Sequence, residues 1–462
     1  MRPNYLLLLL YFLSGLFFTS TPSFASDTPY RLSEAIGTPT WFSFGLNQRT
    51  RYEFLSNDFR SPALGNSQGL FLRNLLWVQI KGDQVGLMLE GQDSRAYFTQ
   101  DTPLNTTHVN PIELLQAYIF YATTGLFTTG DRFEMKLGRY TLDLGSRRLV
   151  ARNRFRNTIN SFTGLVANWT GNTTQKFTLF VSLPVQRQPN TQNQLEDNVI
   201  KFDEERFNTI FWGLFYENGL AQTDMMLNAY ALTLHEDDTS SINTRNRQLI
   251  TPGVRVMQEP QTNKFDFEME VAGQFGQSRS SAAATNTTNL DHRAFFAHLA
   301  GGFSFDHKIN PRIALLYDYA SGDKDPTDSS NERFDTLFGA RAFEYGSTGI
   351  FGSFARSNVH GPGLKVFIKP IKNLKVNLGY RPFWLASKKD AWTTSGLQDV
   401  TGNSGSFVGH LLETNAQWQI LPKNMSFHTG IAFLVPGEFM KNVPGGSSET
   451  STYAFTSLDF AL

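Results

Sequence analysis

Along most of the chain, apolar and polar residues alternate with a period of two, the signature of strands that show one face to a greasy medium and the other to a polar one. Phe42, Phe44, Leu46, Tyr52 and Phe54 share one parity, and Asn47, Arg49, Arg51 and Glu53 share the other. Phe177, Leu179, Val181 and Leu183 oppose Lys176, Thr178 and Ser182 in the same way. So do Phe265, Phe267, Met269 and Val271 against Asp266, Glu268 and Glu270, and Val376, Leu378, Tyr380 and Trp384 against Lys375, Asn377 and Arg381. The pattern predicts strands near 41-54, 69-81, 84-97, 112-124, 131-144, 160-170, 174-185, 207-218, 222-235, 247-258, 264-276, 293-306, 311-321, 361-370, 373-386, 406-421, 424-436 and 450-462.

The connections between these strands alternate in length. Tight turns at Gly82-Asp83, Gly171-Asn172, Asn218-Gly219, Asn310-Pro311, Lys372-Asn373 and Lys423-Asn424 separate long polar segments near 55-68, 98-111, 145-159, 186-206, 236-246, 277-292, 322-360, 387-405 and 437-449. Outer-membrane barrels have this asymmetry, with short periplasmic turns and long extracellular loops on an even number of strands. The predicted fold is therefore all-β: a transmembrane antiparallel β-barrel of about 18 strands. A soluble sandwich would turn its apolar face inward and use connections of similar length. A closed barrel of this size is wide enough for an aqueous lumen unless loops fill it.

The N-terminal segment supplies an address. Arg2 is a positive start, Tyr5 to Phe18 an apolar core, and Ser23, Phe24 and Ala25 a small-x-small cleavage site, so residues 1-25 read as a signal peptide and 26-462 as one barrel domain. No later stretch approaches the roughly 20 apolar residues of a membrane-spanning helix. Cysteine is absent, so hydrogen bonds and extent must hold the fold. Lysine plus arginine and aspartate plus glutamate each number 41, so no global charge argues for nucleic acid. The informative charge is local.

Six arginines, Arg139, Arg147, Arg148, Arg152, Arg154 and Arg156, lie within eighteen residues that hold one acid, Asp143. Parity places Arg139 and Asp143 opposite Tyr140, Leu142 and Leu144, toward the lumen; folded inward, the segment would line a constriction with guanidinium groups. Arginine stays charged at working pH and grips carboxylates bidentately, which suits an anion pathway whose binding is weak enough for release. Arg49, Arg51, Arg73, Arg356 and Arg381 are further candidates. The alternative is an internal charge ladder in which these groups pair with Glu53, Asp83, Glu90, Asp93, Glu268 and Glu270.

The run Leu137-Gly138-Arg139-Tyr140-Thr141-Leu142-Asp143-Leu144-Gly145-Ser146-Arg147-Arg148-Leu149, with Arg156-Asn157-Thr158 and Ser161-Phe162-Thr163-Gly164 after it, resembles the signature of the alginate-export outer-membrane proteins. Arg49-Thr50-Arg51-Tyr52-Glu53 and Tyr319-Ala320-Ser321-Gly322-Asp323-Lys324-Asp325, with Phe334-Asp335 and Tyr345-Gly346, agree. The resemblance implies a monomeric eighteen-stranded channel in the bacterial outer membrane that passes an anionic polysaccharide, an alginate-like polyuronate, together with periplasmic export machinery. It implies Arg51, Glu53, Arg139, Arg147, Arg148, Arg152 and Arg156 at the selective constriction. The tight turn from Leu421 to Asn424 departs from it, leaving no long periplasmic segment there to act as a plug.

Other chemistry is sparse. Asp323, Asp325 and Asp328 are a weak candidate for Ca²⁺ by their hard oxygens, against a solvated acidic turn. His298, His410 and His428 fall on strands, but no Ser-His pair can be matched from the sequence, so neither catalysis nor a cofactor is expected. The competing functions are a general or small-solute porin and a loop-closed structural or adhesive barrel.

Overall fold

The protein is described from a computed structural model covering residues 29-60, 65-99, 102-220 and 223-462. The expected signal peptide lies outside the described residues. Strands follow the alternating segments: β1 (Phe42–Ser56), β2 (Ser67–Lys81), β3 (Val85–Tyr97), β4 (Asn110–Thr124), β5 (Arg132–Tyr140), β6 (Phe162–Thr170), β7 (Lys176–Pro184), β8 (Thr209–Gly219), β9 (Met225–Glu236) and β10 (Gln248–Gln258). They continue as β11 (Phe265–Ser278), β12 (Leu290–Ser304), β13 (Arg312–Ala320), the two-residue β14 (Ser330–Asn331), β15 (Val359–Ile371), β16 (Leu374–Trp384), β17 (Phe407–Leu421), β18 (Met425–Pro436) and β19 (Ser451–Ala461). All but β14 build the wall, each pairing antiparallel with its neighbours, and β1 closes on β19 through pairs such as Arg51 with Ser457.

Closure follows from the medium: hydrocarbon offers no hydrogen bonds, so every wall amide must find a partner on the next strand. Alternation then sorts the side chains. Leu76, Ile119 and Leu315 stand on the outer face, more than half exposed to what would be lipid, whereas Arg51, Glu53, Asp318 and Arg381 are buried inside. No helix among the described residues is long and apolar enough to cross a membrane; the chain crosses with strands.

Eighteen wall strands lie where alternation predicts them, and their ends agree within three residues except at β5. There the strand expected over 131-144 stops at Tyr140, because the chain turns into the lumen. Two long connections enter the barrel: residues 141-161 between β5 and β6, and residues 332-358 between β13 and β15. They meet in a parallel bridge of Val150 with Phe338, reinforced by Ala151 N to Phe338 O at 3.1 Å and Ala340 N to Arg147 O at 2.9 Å.

The lumen is consequently not an open aqueous bore. Phe334, Tyr345, Phe351 and Phe354 from the second loop and Trp392 from the loop after β16 form an apolar core with the inward wall residues Phe71, Phe162, Phe211, Phe296 and Phe383. Phe354 stacks on Phe383 with centroids 3.9 Å apart. A purely polar inner face is thus corrected: wall residues facing the inserted loops are aromatic, since dry packing against another segment rewards apolar area as lipid does.

Candidate functional site

β1 fixes both inserted loops from adjacent inward positions. Arg51 donates from Nη1 to the Phe155 carbonyl at 2.5 Å and lies over the Phe155 ring at 4.5 Å. Two residues on, hence on the same face, Glu53 accepts from Ile350 N at 2.7 Å and from the Tyr453 hydroxyl at 3.0 Å. The carboxylate comes so close to Gly349 that a Cβ there would overlap it, so any larger residue would displace the Glu53 carboxylate. Arg51 Nε and Glu53 Oε1 stand 2.7 Å apart, although the N–H does not point at the oxygen. Arg49 donates to the carbonyls of Arg154 (3.0 Å) and Arg156 (2.8 Å), and Arg73 of β2 to the same two (2.9 and 3.0 Å). Three wall arginines therefore hold consecutive carbonyls of the first loop.

So anchored, the loops form a septum. On the long-loop side lies a cavity of about 820 Å³ lined by loop residues including Arg60, Arg156, Arg245, Arg247, Arg333 and Arg341. On the short-turn side lie two more. One, about 620 Å³, is lined by Arg49, Arg73, Arg152, Arg154 and Asp459 and reaches the turn at Lys423 and Asn424. The other, about 760 Å³, is lined by Arg147, Arg154, Phe155, Lys365, Lys369 and Lys375. Arg154 and Arg156 alternate across the septum, so neighbouring arginines serve opposite sides.

Between the cavities lies a buried ionic hub. Arg148 meets Glu268 at 2.5 Å and Glu270 at 2.7 Å from β11, and its Nε meets Glu344 of the second loop. Glu344 also pairs with Arg356. Burial would raise the Glu344 carboxyl, but Arg148 and Arg356 outweigh it and hold it below the usual carboxylate range. Arg381 pairs with Asp318 at 2.7 Å, and Asp318 also accepts from His298 at 2.7 Å. His298, Asp318 and Glu344 are the described acids and histidines close enough to share an ion. Their oxygens already meet Arg148, Arg356 and Arg381, so the group fits no cation.

The predicted residues thus separate. Arg139, Arg148, Arg152, Arg154 and Arg381 are neutralised, by Glu113 and Glu205, by the hub, by Glu90, by Asp143 and by Asp318 respectively. Arg139 is a correction on position as well. It shares the parity of Leu137, which is 52% exposed on the outer face; past the end of β5, Thr141 and Asp143 do line the lumenal cavity with Arg49 and Arg73, while Tyr140, Leu142 and Leu144 pack into the core. Arg49, Arg73, Arg147 and Arg156 have no carboxylate partner among the described residues. Of the proposed internal partners, Glu53, Glu90, Glu268 and Glu270 pair with the predicted arginines, but Asp93 meets Arg95 instead. Asp323, Asp325 and Asp328 do not converge: the last two accept from the amides of their own turns, Thr327 and Ser330, while Asp323 is buried beside Asp390.

Arg341, Glu205 and Glu344 were not legible as site residues, since loops have no periodicity to show where they point; Glu113 of β4 and Asp318 of β13 were not, because their arginine partners lie on other segments of the chain. The density of Arg333, Arg341 and Arg356 among Phe334, Phe338, Phe343 and Tyr345 was the available signal for an inserted loop. Desolvation, with repulsion from Arg341 and Arg187, pushes Arg156 down to about 9; desolvation, with repulsion from Arg60 and Arg356, pushes Arg341 down to about 10. Both stay charged at neutral pH without a counter-ion.

Comparison with known proteins agrees with this architecture. OccD3 (OpdP) of Pseudomonas aeruginosa superposes with a TM-score of 0.56 at 12% identity, over 92% of this chain and 91% of that one. A BenF-like porin from Pseudomonas fluorescens Pf-5 gives 0.55 at 10% identity, over 91% and 99%. OccK2 (OpdF) of P. aeruginosa, solved in complex with glucuronate, gives 0.53 at 11% identity, over 91% and 96%. No curated protein matches the sequence. The alginate-export family profile matches residues 40-454, nearly the whole chain. With the closed barrel, this identifies an outer-membrane channel protein surrounded by lipid, its long loops extracellular, and the chain belongs to the alginate-export family.

Proposed function

We propose that the protein is a monomeric, anion-selective channel for uronate-type carbohydrate, carried past the septum by guanidinium groups on both of its faces. The observation that carries this reading is the set of arginines that line water-accessible cavities without a carboxylate partner: Arg156 and Arg341 on the extracellular side, Arg49 and Arg73 on the periplasmic side, with Arg147 beside the hub. Such groups attract an anion from either side, and their remaining donors suit carboxylates. The family supports a polyuronate as substrate, and the glucuronate bound to OccK2 supports the same chemistry at the scale of one sugar. Arg148, Arg152, Arg154 and Arg381, with Asp143 and Glu53, act in this reading as positioning residues that hold the septum, whereas Arg139 ties β4 to the loop between β7 and β8.

Reversal potentials in planar bilayers under a salt gradient test the proposal. Anion preference, with current blocked by added oligouronate, is expected; cation preference overturns it.

A further inference from the structure

The extracellular cavity has a floor. The paired loops close it with the Val150 to Phe338 bridge, and the aromatic core packs the lumen around that bridge. Its charge is not closed in the same way. Arg60 is matched by Asp58 at 2.9 Å, Arg247 by Asp335 at 3.0 Å and Glu236 at 2.8 Å, Arg245 by Asp335 at 3.6 Å, and Arg333 by Asp390. Arg156 and Arg341 have no such match among the described residues. Arg341 Nε is buried without a hydrogen-bond partner, and its Nη2 lies 3.0 Å from where a Cβ on Gly352 would stand, so glycine leaves room for the guanidinium. Placing two like charges at one cavity costs free energy that an anion between them would recover.

Size and lining narrow the anion. About 820 Å³ falls in the range that holds a small organic ligand, roughly 300–1,000 Å³, and far exceeds what an inorganic ion needs. Thr107, Thr336, Thr348 and Thr394 bring hydroxyls to the lining, while Leu337 and Ile350 give apolar surface for a ring face. That combination suits a polyhydroxylated ring bearing a carboxylate.

We infer that this cavity is a binding site for a short uronate, one to a few sugar rings long, whose carboxylate lies between Arg156 and Arg341. The inference rests on the channel reading above and narrows it: the arrangement with paired loops takes short acids at its mouth, and the septum must open before a polymer can pass.

Calorimetric titration of the full-length protein in detergent with glucuronate tests it, with glucose and sulfate as controls. Glucuronate is expected to bind, glucose and sulfate at least about tenfold more weakly, and R156Q with R341Q together to weaken glucuronate by about tenfold or more, the loss of a charge-assisted bidentate contact. R293Q on the outer wall should change nothing. Sulfate binding as tightly as glucuronate, or the double variant binding like wild type, overturns the site. If the double variant does not fold, wild-type discrimination between glucuronate and glucose decides alone. Anion-selective conductance without glucuronate binding sinks this inference and leaves the channel; glucuronate binding to a cation-selective pore sinks the channel reading.

Discussion

Arg148 and Arg156 belong to the same inserted loop, eight residues apart, and the barrel surrounds them differently. Arg148 sits among Glu268, Glu270 and Glu344 with its charge fully answered. Arg156 faces the extracellular cavity with arginines nearby and no acid within ion-pair distance among the described residues. A residue count treats both as positive charge in a pore. The surroundings make one a structural pin and leave the other free to meet an anion, so arginine density alone does not locate a selectivity filter.

The largest expected effect breaks the pin. R148A strands Glu270 in the interior and takes one of two arginines from Glu268 and from Glu344, a loss of about 3–5 kcal/mol for a broken buried pair. It should lower the temperature at which the barrel loses its compact mobility on gels, and enlarge or destabilise the conductance as the loops part. Unchanged thermal stability would show that the hub does not hold the septum. Next comes R51A, which removes the bond to Phe155 O and one partner of Glu53, costing roughly 1.5–3 kcal/mol for a bond to a charged group. Its readout is increased hydrogen exchange in residues 152-158, and a silent exchange map would remove Arg51 from the anchoring role.

R73Q should act more gently and on the other side of the comparison. Arg73 lines the periplasmic cavity and supports the loop, but Arg49 holds the same carbonyls. Anion preference should fall while stability stays near wild type; an unaltered reversal potential would exclude Arg73 from the pathway. The smallest effect concerns Asp203 in the loop after β7, which burial, with repulsion from Glu113, raises to about 6 despite bonds from Gln188 and Asn110 and the charge of Arg187. Because the folded state keeps a proton that the unfolded state releases near pH 4, stability falls as pH rises from about 4 to 6. D203N should flatten that slope in thermal melts, and a slope retained in the variant would assign it elsewhere.

Strand positions were legible because two-residue periodicity is a local property: Phe265, Phe267 and Met269 against Asp266, Glu268 and Glu270 declare both faces without reference to any other segment. Periodicity ends at Tyr140, and there the reading of Arg139 as lumen-facing failed. The arginine-rich run was legible as a functional segment, yet its partners were not, because Glu344 lies 196 residues from Arg148 in sequence and reaches it only when a second loop enters the barrel.

The sequence by itself determined an all-β barrel, its eighteen wall strands, the alternation of turns and loops, and the segment in which cations concentrate. Each follows from short-range patterning in a medium that enforces closure. Which connections fold inward, which arginines are neutralised, and which face a cavity without a counter-ion were decided only by the tertiary structure. Charge pairing depends on distance through space, and residues far apart along the chain set it.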